Sequence, residues 1–310
     1  MKILVTGGLG YIGSSLIPKL LKNNYHVVCL DNCMFEQNCN VDLINKDNFD
    51  FIKGDVRDYD LMKKVVKDID VIIPLAAIVG APLSKKLPQD TYEINQESIE
   101  KLVKFINKDV KIIMPVSNSG YGVGEKNKFC DETSDLNPLS LYGKTKVEAE
   151  KVILERDNSI SFRLATVFGP SPRMRVDLLV NNFTYIAYFE KYLKLYEPHF
   201  RRNYIHIEDI ANAFMFSIEN FENLKGEIYN LGLSEANLTK EQLCKTIKSH
   251  INDFNYEISF DGEDEDKRDY FVSNAKIESK GFKAKISLDD GIKQLINLYS
   301  QKNFKPNKNF

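Results

Sequence analysis

The sequence contains no apolar run of the ~18–20 residues that a membrane-crossing helix requires, no internal repeat and no low-complexity tract. It also lacks a charge excess. The 42 Lys+Arg stand against 44 Asp+Glu, a formal net charge of −2, which removes the compositional case for binding nucleic acid or an anionic membrane. Its five cysteines show no metal-ligand spacing: the closest pair, Cys33 and Cys39, has neither a histidine nor a second cysteine pair beside it. The thiols therefore read as free, no metal site is expected, and the location expected is cytoplasmic. The chain opens on a strand pattern, Lys2-Ile3-Leu4-Val5-Thr6, rather than a secretory leader. Arginine is scarce, eight of the 42 basic residues, and five of those eight follow Phe168.

Hydrophobic residues at 43% and charged residues at 28% are ordinary for a soluble globular chain, which excludes disorder as the main state. A length of 310 residues predicts about two domains, or one large domain with an appendage. Short apolar runs at Lys2–Thr6, His26–Leu30, Phe49–Lys53, Val71–Leu75, Lys111–Val116 and Ser161–Ala165 alternate with amphipathic stretches. These stretches are Ile12–Asn23, Tyr59–Lys67, Tyr92–Ile106 and Leu141–Glu155. Runs of five or six almost wholly apolar residues suit strands buried on both faces, hence a parallel sheet. The fold class predicted is α/β, a Rossmann-type doubly wound parallel sheet with a smaller mixed α/β C-terminal lobe. Gly169-Pro170-Ser171-Pro172 breaks the rhythm. The first domain is set at 1–168, with 203–232 returning to it, and the second lobe at 169–310. Helices are expected there near Asp177–Lys191, Ile207–Asn220, Lys240–Ile251 and Leu288–Tyr299, and a frayed end at Ser300–Phe310.

Between the first strand and first helix lies Thr6-Gly7-Gly8-Leu9-Gly10-Tyr11-Ile12-Gly13. Glycines there permit a tight turn and let a pyrophosphate approach backbone N–H groups at a helix N-terminus. Asp31 follows 18 residues after Gly13, at the end of the second strand, and no Arg or Lys occupies the three positions after it. A carboxylate there accepts hydrogen bonds from a ribose diol and repels a 2′-phosphate, so the cofactor expected is NAD rather than NADP.

Tyr142 and Lys146 stand four apart at the start of a helix and share one face. An ammonium beside a phenol favours the phenolate, which can take a proton from an alcohol while hydride leaves for a nicotinamide. Tyr59 and Lys63 repeat the spacing, but only Tyr142 follows a strand ending in a hydroxyl residue, Val116-Ser117-Asn118-Ser119. Strand carboxyl ends are where open α/β sheets bind ligands, so Tyr59 and Lys63 are assigned to a solvated helix start.

The glycine turn, Asp31, Gly54-Asp55-Val56, Leu75-Ala76-Ala77, Asn95, Ser117 to Gly122, Tyr142-x-x-x-Lys146 and Arg202 to Asp209 occur in this order. As an ordered set the chain resembles the extended short-chain dehydrogenases, the NAD-dependent nucleotide-sugar epimerase/dehydratase family. The resemblance implies Ser117, Tyr142 and Lys146 as catalytic residues, Asp55 and Val56 near adenine, Ala76 and Ala77 near the cofactor ribose, and Asn95 as an internal polar group on the cofactor side. With Gly7, Gly10, Tyr11, Ile12, Gly13, Asp31, Asn32, Leu75, Tyr142 and Lys146, these complete the expected cofactor set. Further stretches, among them Pro172 to Val180 and His199 to His206, resemble the branch that contains GDP-mannoheptose 4-dehydrogenases of capsule pathways. Family 4,6-dehydratases carry Thr-Asp-Glu where this chain has Ser117-Asn118-Ser119, so elimination of water is disfavoured. Thr166 stands where many epimerases have Asn.

Arg grips phosphate with a planar fork, and Arg173, Arg175, Arg201 and Arg202 fall within 30 residues of one another. The expected substrate set is Ser117, Asn118, Ser119, Thr166, Arg173, Arg175, Leu178, Arg202 and Arg268, with Arg202 at the family position for a nucleotide diphosphate. Surface ion pairing is an equal alternative for Arg173, Arg201 and Arg268. The acidic run Asp261–Asp266 reads as a solvated loop. The activity expected is NAD-dependent oxidation at C4 of a nucleotide-linked sugar, as a GDP-heptose 4-dehydrogenase or a 4-epimerase. A non-catalytic NAD-binding regulator is the competing class, and a methyltransferase a third. The resemblance also implies a homodimer built from Tyr92–Ile106 and Leu141–Glu155, which the apolar positions Ile99, Leu102, Val103, Ile106, Val147, Val152 and Ile153 are taken to support.

Overall fold

The computed structural model describes residues 1–37, 39–125, 128–264 and 266–305. Its centre is a sheet of seven parallel strands: β1 (Lys2–Thr6), β2 (His26–Asp31), β3 (Phe49–Lys53), β4 (Val71–Pro74), β5 (Lys111–Ser117), β7 (Ser159–Leu164) and β11 (Glu227–Leu231). They lie in the order β11-β7-β5-β4-β1-β2-β3. β1 shows why the sheet is parallel and sandwiched. Ile3 and Val5 point into one apolar cluster while Leu4 points into another on the opposite face. Period-two alternation thus buries both sides of the strand. The first cluster is completed by Leu16, Ile17 and Leu20 of the Tyr11–Lys22 helix and by Ile210 and Phe214 of the Ile207–Glu219 helix. The second takes Ile99 and Leu102 of the Ser98–Phe105 helix with Ala149 and Ile153 of the Leu141–Leu154 helix.

The strands outside the main sheet are short, and two of them, β6 (Phe129–Cys130) and β8 (Thr166–Phe168), come from before residue 169. β8, β10 (Arg201–His206) and β12 (Asn237–Thr239) form a three-stranded sheet. Two parallel pairs complete the described strands, β9 (Tyr192–Leu195) with β13 (Asn255–Ile258), and β6 with β14 (Phe271–Val272). The Lys240–His250 helix starts at a capping box, in which Thr239 accepts from the Gln242 N–H and the Gln242 side chain accepts from the Thr239 N–H.

Two expectations need correcting. The segment expected as one helix over Tyr92–Ile106 is built in three pieces, Pro88–Tyr92, a π turn at Glu93–Glu97, and Ser98–Phe105. The apolar positions taken to support a dimer face are largely used inside the chain. Ile99, Leu102, Ile106, Val147 and Ile153 are buried in the single chain, and Val103 and Val152 only partly so. Periodicity counts apolar positions but does not say which neighbour covers them, so the pattern gives no argument for a second apolar face. Of the expected frayed end, residues 306–310 lie outside the described residues.

Candidate active site

A cleft of about 880 Å³ runs across the carboxyl ends of the main strands. Gly7 follows β1, Asp31 closes β2, Gly54 follows β3, Leu75 follows β4, Ser117 closes β5 and Ala165 follows β7, and all six line it. This is the crevice where parallel α/β sheets bind ligands.

The glycine turn divides its tasks. Gly7 has φ +65°, and a Cβ on it would sit 2.6 Å from the Ala76 nitrogen, so strand end β4 closes directly over it. A Cβ on Gly13 would sit 2.4 Å from the Gly8 carbonyl oxygen, the contact that lets helix and strand pack tightly. Gly10 has ordinary backbone angles, φ −76° and ψ −176°, and among its surroundings only the Gly7 carbonyl lies within reach, at 3.0 Å. Its open side faces the cleft, where the first N–H groups of the Tyr11–Lys22 helix are free of side-chain caps. Asp31 is buried, accepting from the Leu9 N–H at 3.0 Å and the Cys33 N–H at 2.8 Å. Burial pushes its carboxyl above the usual range, against these two bonds and the Arg173 charge. A cradle that a methyl group would fill and a carboxylate fixed beside it fit a dinucleotide.

Asn32 donates to Asp55 at 2.9 Å, and Asp55 in turn receives the Arg57 guanidinium, which also reaches Asp90 at 2.7 Å and Glu93 at 3.0 Å. The Arg57 bonds hold the Asp55 carboxyl down at about 2. Tyr11, Ile12, Asn32, Asp55, Val56, Leu75, Ala76 and Ala77 all line the cleft. Asn95, expected as an internal polar group of the cofactor set, does not line the cleft itself. It is buried at the π turn, where its amide accepts from the Ile78 N–H at 2.8 Å and donates to the Ile78 carbonyl at 2.9 Å and to Thr145 at 3.3 Å. It pins the loop after β4 from behind.

At the other end of the cleft, Ser140 caps the Leu141–Leu154 helix by accepting from the Gly143 N–H, which starts the helix one residue before Tyr142. Tyr142 and Ser117 both line this end of the cleft, and the Ser117 hydroxyl acts on the Tyr142 phenol. Burial pushes that phenol above the ordinary value, and the Ser117 hydroxyl, Arg268 and Arg175 pull the other way. Lys146, one turn on, is 4% exposed, and burial brings its ammonium down to about 8 while Glu150 opposes the fall. Sequence spacing assigned the phenol's activation to Lys146; the structure adds two arginines that spacing cannot see. Tyr59 and Lys63 line no part of the cleft.

Thr166, Arg173, Arg175, Leu178, Arg202, Arg268 and Ser119 line the cleft, whereas Asn118, although buried, does not. Arg173 stands at the end expected for the cofactor, not among the substrate residues. Its guanidinium lies over the Phe35 ring at 5.6 Å and its charge acts on Asp31. Arg175 is paired with Asp177. Arg202 is buried, and it donates to the carbonyls of Arg201, Arg268 and Asp266 and pairs with the Asp266 carboxylate at 3.2 Å. Arg268 also holds Asp266. Arg201 pairs with Asp269 at 2.8 Å, away from the cleft. The acidic run is not a solvated loop throughout: Asp264 and Asp266 line the cleft, Asp264 reaching buried Lys240 at 2.6 Å. Glu265 of that run lies outside the described residues. Sequence reasoning missed Phe35, Lys240 and Tyr270; the last stands two residues beyond Arg268, within reach of its guanidinium at 3.5 Å. Among the described residues there is no group of three or more His, Cys, Asp or Glu placed to hold a metal.

The cradle, the carboxylate and the strand order are those of a Rossmann-type dinucleotide-binding protein. The chain belongs to the NAD-dependent epimerase/dehydratase family, whose model matches residues 3–232, and its cofactor is NAD. It is 32% identical, over 97% of its length and 99% of the relative's, to a provisionally named UDP-glucose 4-epimerase of Methanocaldococcus jannaschii. It is 27% identical, over 97% of its length and 89% of the relative's, to the dTDP-D-glucose 4,6-dehydratase of Bos taurus. Among solved structures it is similar to the UDP-glucuronic acid 4-epimerase of Bacillus cereus, in complex with UDP-glucuronic acid and NAD. The TM-score is 0.83 and the identity 26%, over 96% of this chain and 99% of that one.

Proposed function

We propose that the chain oxidises the C4 hydroxyl of a nucleotide-linked sugar, with Tyr142 as base, Ser117 as a hydrogen-bond partner to the sugar hydroxyl and Lys146 as the charge that favours the phenolate. The observation that carries this reading is that Ser117, Tyr142 and Lys146 line one cleft, with buried Lys146 one helical turn from Tyr142. Bound NAD supplies the acceptor for the C4 hydride. The Tyr142 oxygen takes the hydroxyl proton, and Ser117 orients that hydroxyl toward it. Gly10 and the helix N-terminus hold the cofactor's phosphates, Asp31 its ribose, and Asp55 and Val56 lie at its adenine end. The lobe after Phe168 carries the nucleotide sugar, with Arg175, Arg202 and Arg268 facing its diphosphate.

The branch resemblance supports a GDP-heptose 4-dehydrogenase of capsule synthesis, and Asn118 and Ser119 support an outcome without elimination, since neither is an acid. The Methanocaldococcus relative and the Bacillus cereus structure support the second reading, a 4-epimerase that returns the hydride to the opposite face. A homodimer and a cytoplasmic location go with either reading, supported by the family resemblance; among the described residues no helix is long and apolar enough to cross a membrane. Incubation with GDP-, UDP-, CDP- and dTDP-sugars, with products identified by NMR in deuterated water, separates the readings. A 4-keto product with reduced cofactor marks the dehydrogenase, and an inverted C4 marks the epimerase. Tyr142→Phe should slow single-turnover reduction of bound NAD by at least ~100-fold, the lower range for general-base catalysis. Equal rates in Tyr142→Phe and Tyr59→Phe would remove Tyr142 from the chemistry.

A further inference from the structure

Behind Lys146 lies a line of charge that the reaction as described does not use. Glu150 is one turn further along the same helix, on the same face, and is 2% exposed. Its carboxylate takes the Arg163 fork, Nε at 3.0 Å and a terminal nitrogen at 2.7 Å to Oε2, while the Ser161 hydroxyl donates to Oε1. Ser161 and Arg163 both come from β7, the strand beside β5, so the sheet holds the carboxylate. Arg163, itself 4% exposed, is held in turn by the Tyr121 hydroxyl at 3.1 Å and the Glu132 carbonyl at 3.3 Å. The result is a buried Glu150–Arg163 ion pair one helical turn from buried Lys146. A buried ion pair alone is weak evidence for stability, because desolvation offsets the attraction. A third buried charge beside it, on the residue four positions from the cleft's tyrosine, points to a use.

We propose that Glu150 is a positioning residue for the reaction: held by Arg163 and Ser161, it supplies the counter-charge that keeps Lys146 an ammonium beside Tyr142. The proposal rests on the reading of Lys146 as the activator of Tyr142. Glu150 is the charged group that acts on Lys146 against its burial. Tyr142 is faced by Ser117, Arg268, Arg175 and Tyr270, none of which is among the bonding partners of Glu150, namely Ser161 and Arg163. Without Glu150 the buried amine sheds its proton at lower pH, and the phenolate then forms only at higher pH.

The test needs no nucleotide sugar. Phenolate formation at Tyr142 is followed by ultraviolet absorbance, as the difference between each protein and its own Tyr142→Phe counterpart, across a pH titration. Glu150→Gln should raise the phenolate midpoint by about half a pH unit or more, a difference in interaction between protonation states. Glu150→Asp, which keeps the charge one methylene farther off, should raise it by less, and it carries the test if Glu150→Gln does not fold. A purely structural role for Glu150 lowers stability and leaves the midpoint where it was. Midpoints matching wild type in both Glu150 variants, with Lys146→Met raising it, overturn the proposal and leave the Lys146 reading intact. A midpoint unmoved in Lys146→Met overturns both.

Discussion

Gly7 and Gly10 sit three residues apart in one turn, and the structure assigns them opposite failures on conversion to alanine. Alanine at Gly7 must hold φ near +65° and place its Cβ 2.6 Å from the Ala76 nitrogen, 2.7 Å from its Cα and 2.9 Å from the Leu75 carbonyl carbon. The left-handed conformation costs about 1–2 kcal/mol. Pushing a methyl group against backbone that cannot swing aside costs roughly 1–3 kcal/mol more. The sum is on the order of 2–5 kcal/mol against the fold. Alanine at Gly10 needs no unusual angle and presses only on the Gly7 carbonyl at 3.0 Å, so the loss should stay below about 1 kcal/mol, the range of an N-cap change. Its methyl group, however, stands where phosphate oxygens approach the helix N–H groups. Losing a charge-assisted hydrogen bond of ~1.5–3 kcal/mol should weaken NAD binding more than tenfold. Thermal unfolding without NAD and calorimetric titration with NAD, on both variants, give the two readouts. A Gly10→Ala protein that binds NAD like wild type, or a Gly7→Ala protein as stable as Gly10→Ala, refutes the assignment.

Titration with both dinucleotides should show NAD bound more tightly than NADP, because Asp31 repels a 2′-phosphate; equal or tighter NADP binding contradicts this, and Arg173 close to Asp31 is the residue to blame. Asn95→Ala leaves both polar groups of Ile78 unpaired in a buried place. At ~1–3 kcal/mol for each unsatisfied group, it should lower the unfolding temperature and loosen NAD binding while leaving the cleft lining untouched; unchanged stability would contradict it. Arg57→Ala removes the cation that holds Asp55 at about 2. A depressed carboxyl contributes stability that is full above its unfolded value near ~4 and is lost as pH falls through its folded value. The wild-type advantage should therefore be at most about 2 kcal/mol at neutral pH, given the partial exposure of the pair. It should shrink below pH ~4, and an advantage that grows in acid contradicts the pairing.

What the sequence made legible was what local pattern controls. Apolar runs located six of the seven main strands to within one or two residues, since a strand buried on both faces has little choice of composition. The seventh, Glu227–Leu231, was not marked out, because Glu227 and Asn230 interrupt its apolar character; Asn230 is buried but satisfied by the Tyr121 hydroxyl and other tertiary partners. The glycine turn, Asp31, Ser117, Tyr142 and Lys146 were readable because their spacing reflects fixed turns of helix and strand. The arginines were readable as a set and not one by one. Whether Arg173 meets Phe35 or a substrate phosphate, and whether Arg201 faces the cleft or Asp269, depends on how the second lobe folds back, which residue spacing does not record. Lys240 and Asp264 went unnoticed for the same reason: a lysine and an aspartate 24 residues apart look solvated until tertiary structure buries the lysine.

The sheet's edge also has a consequence for synthesis. β7 pairs with β5 on one side and with β11 on the other, and β11 ends at Leu231. A nascent chain that has emerged only as far as the glycine-proline break after Phe168 has every strand of the sheet except this last one. Until Glu227–Leu231 arrives, the N–H and C=O groups along Ser159–Leu164 form an open strand edge, a template for pairing with another chain. Truncation at the apparent end of the first domain should therefore yield an aggregating fragment, and the main sheet is complete only after Leu231 has passed the ribosome.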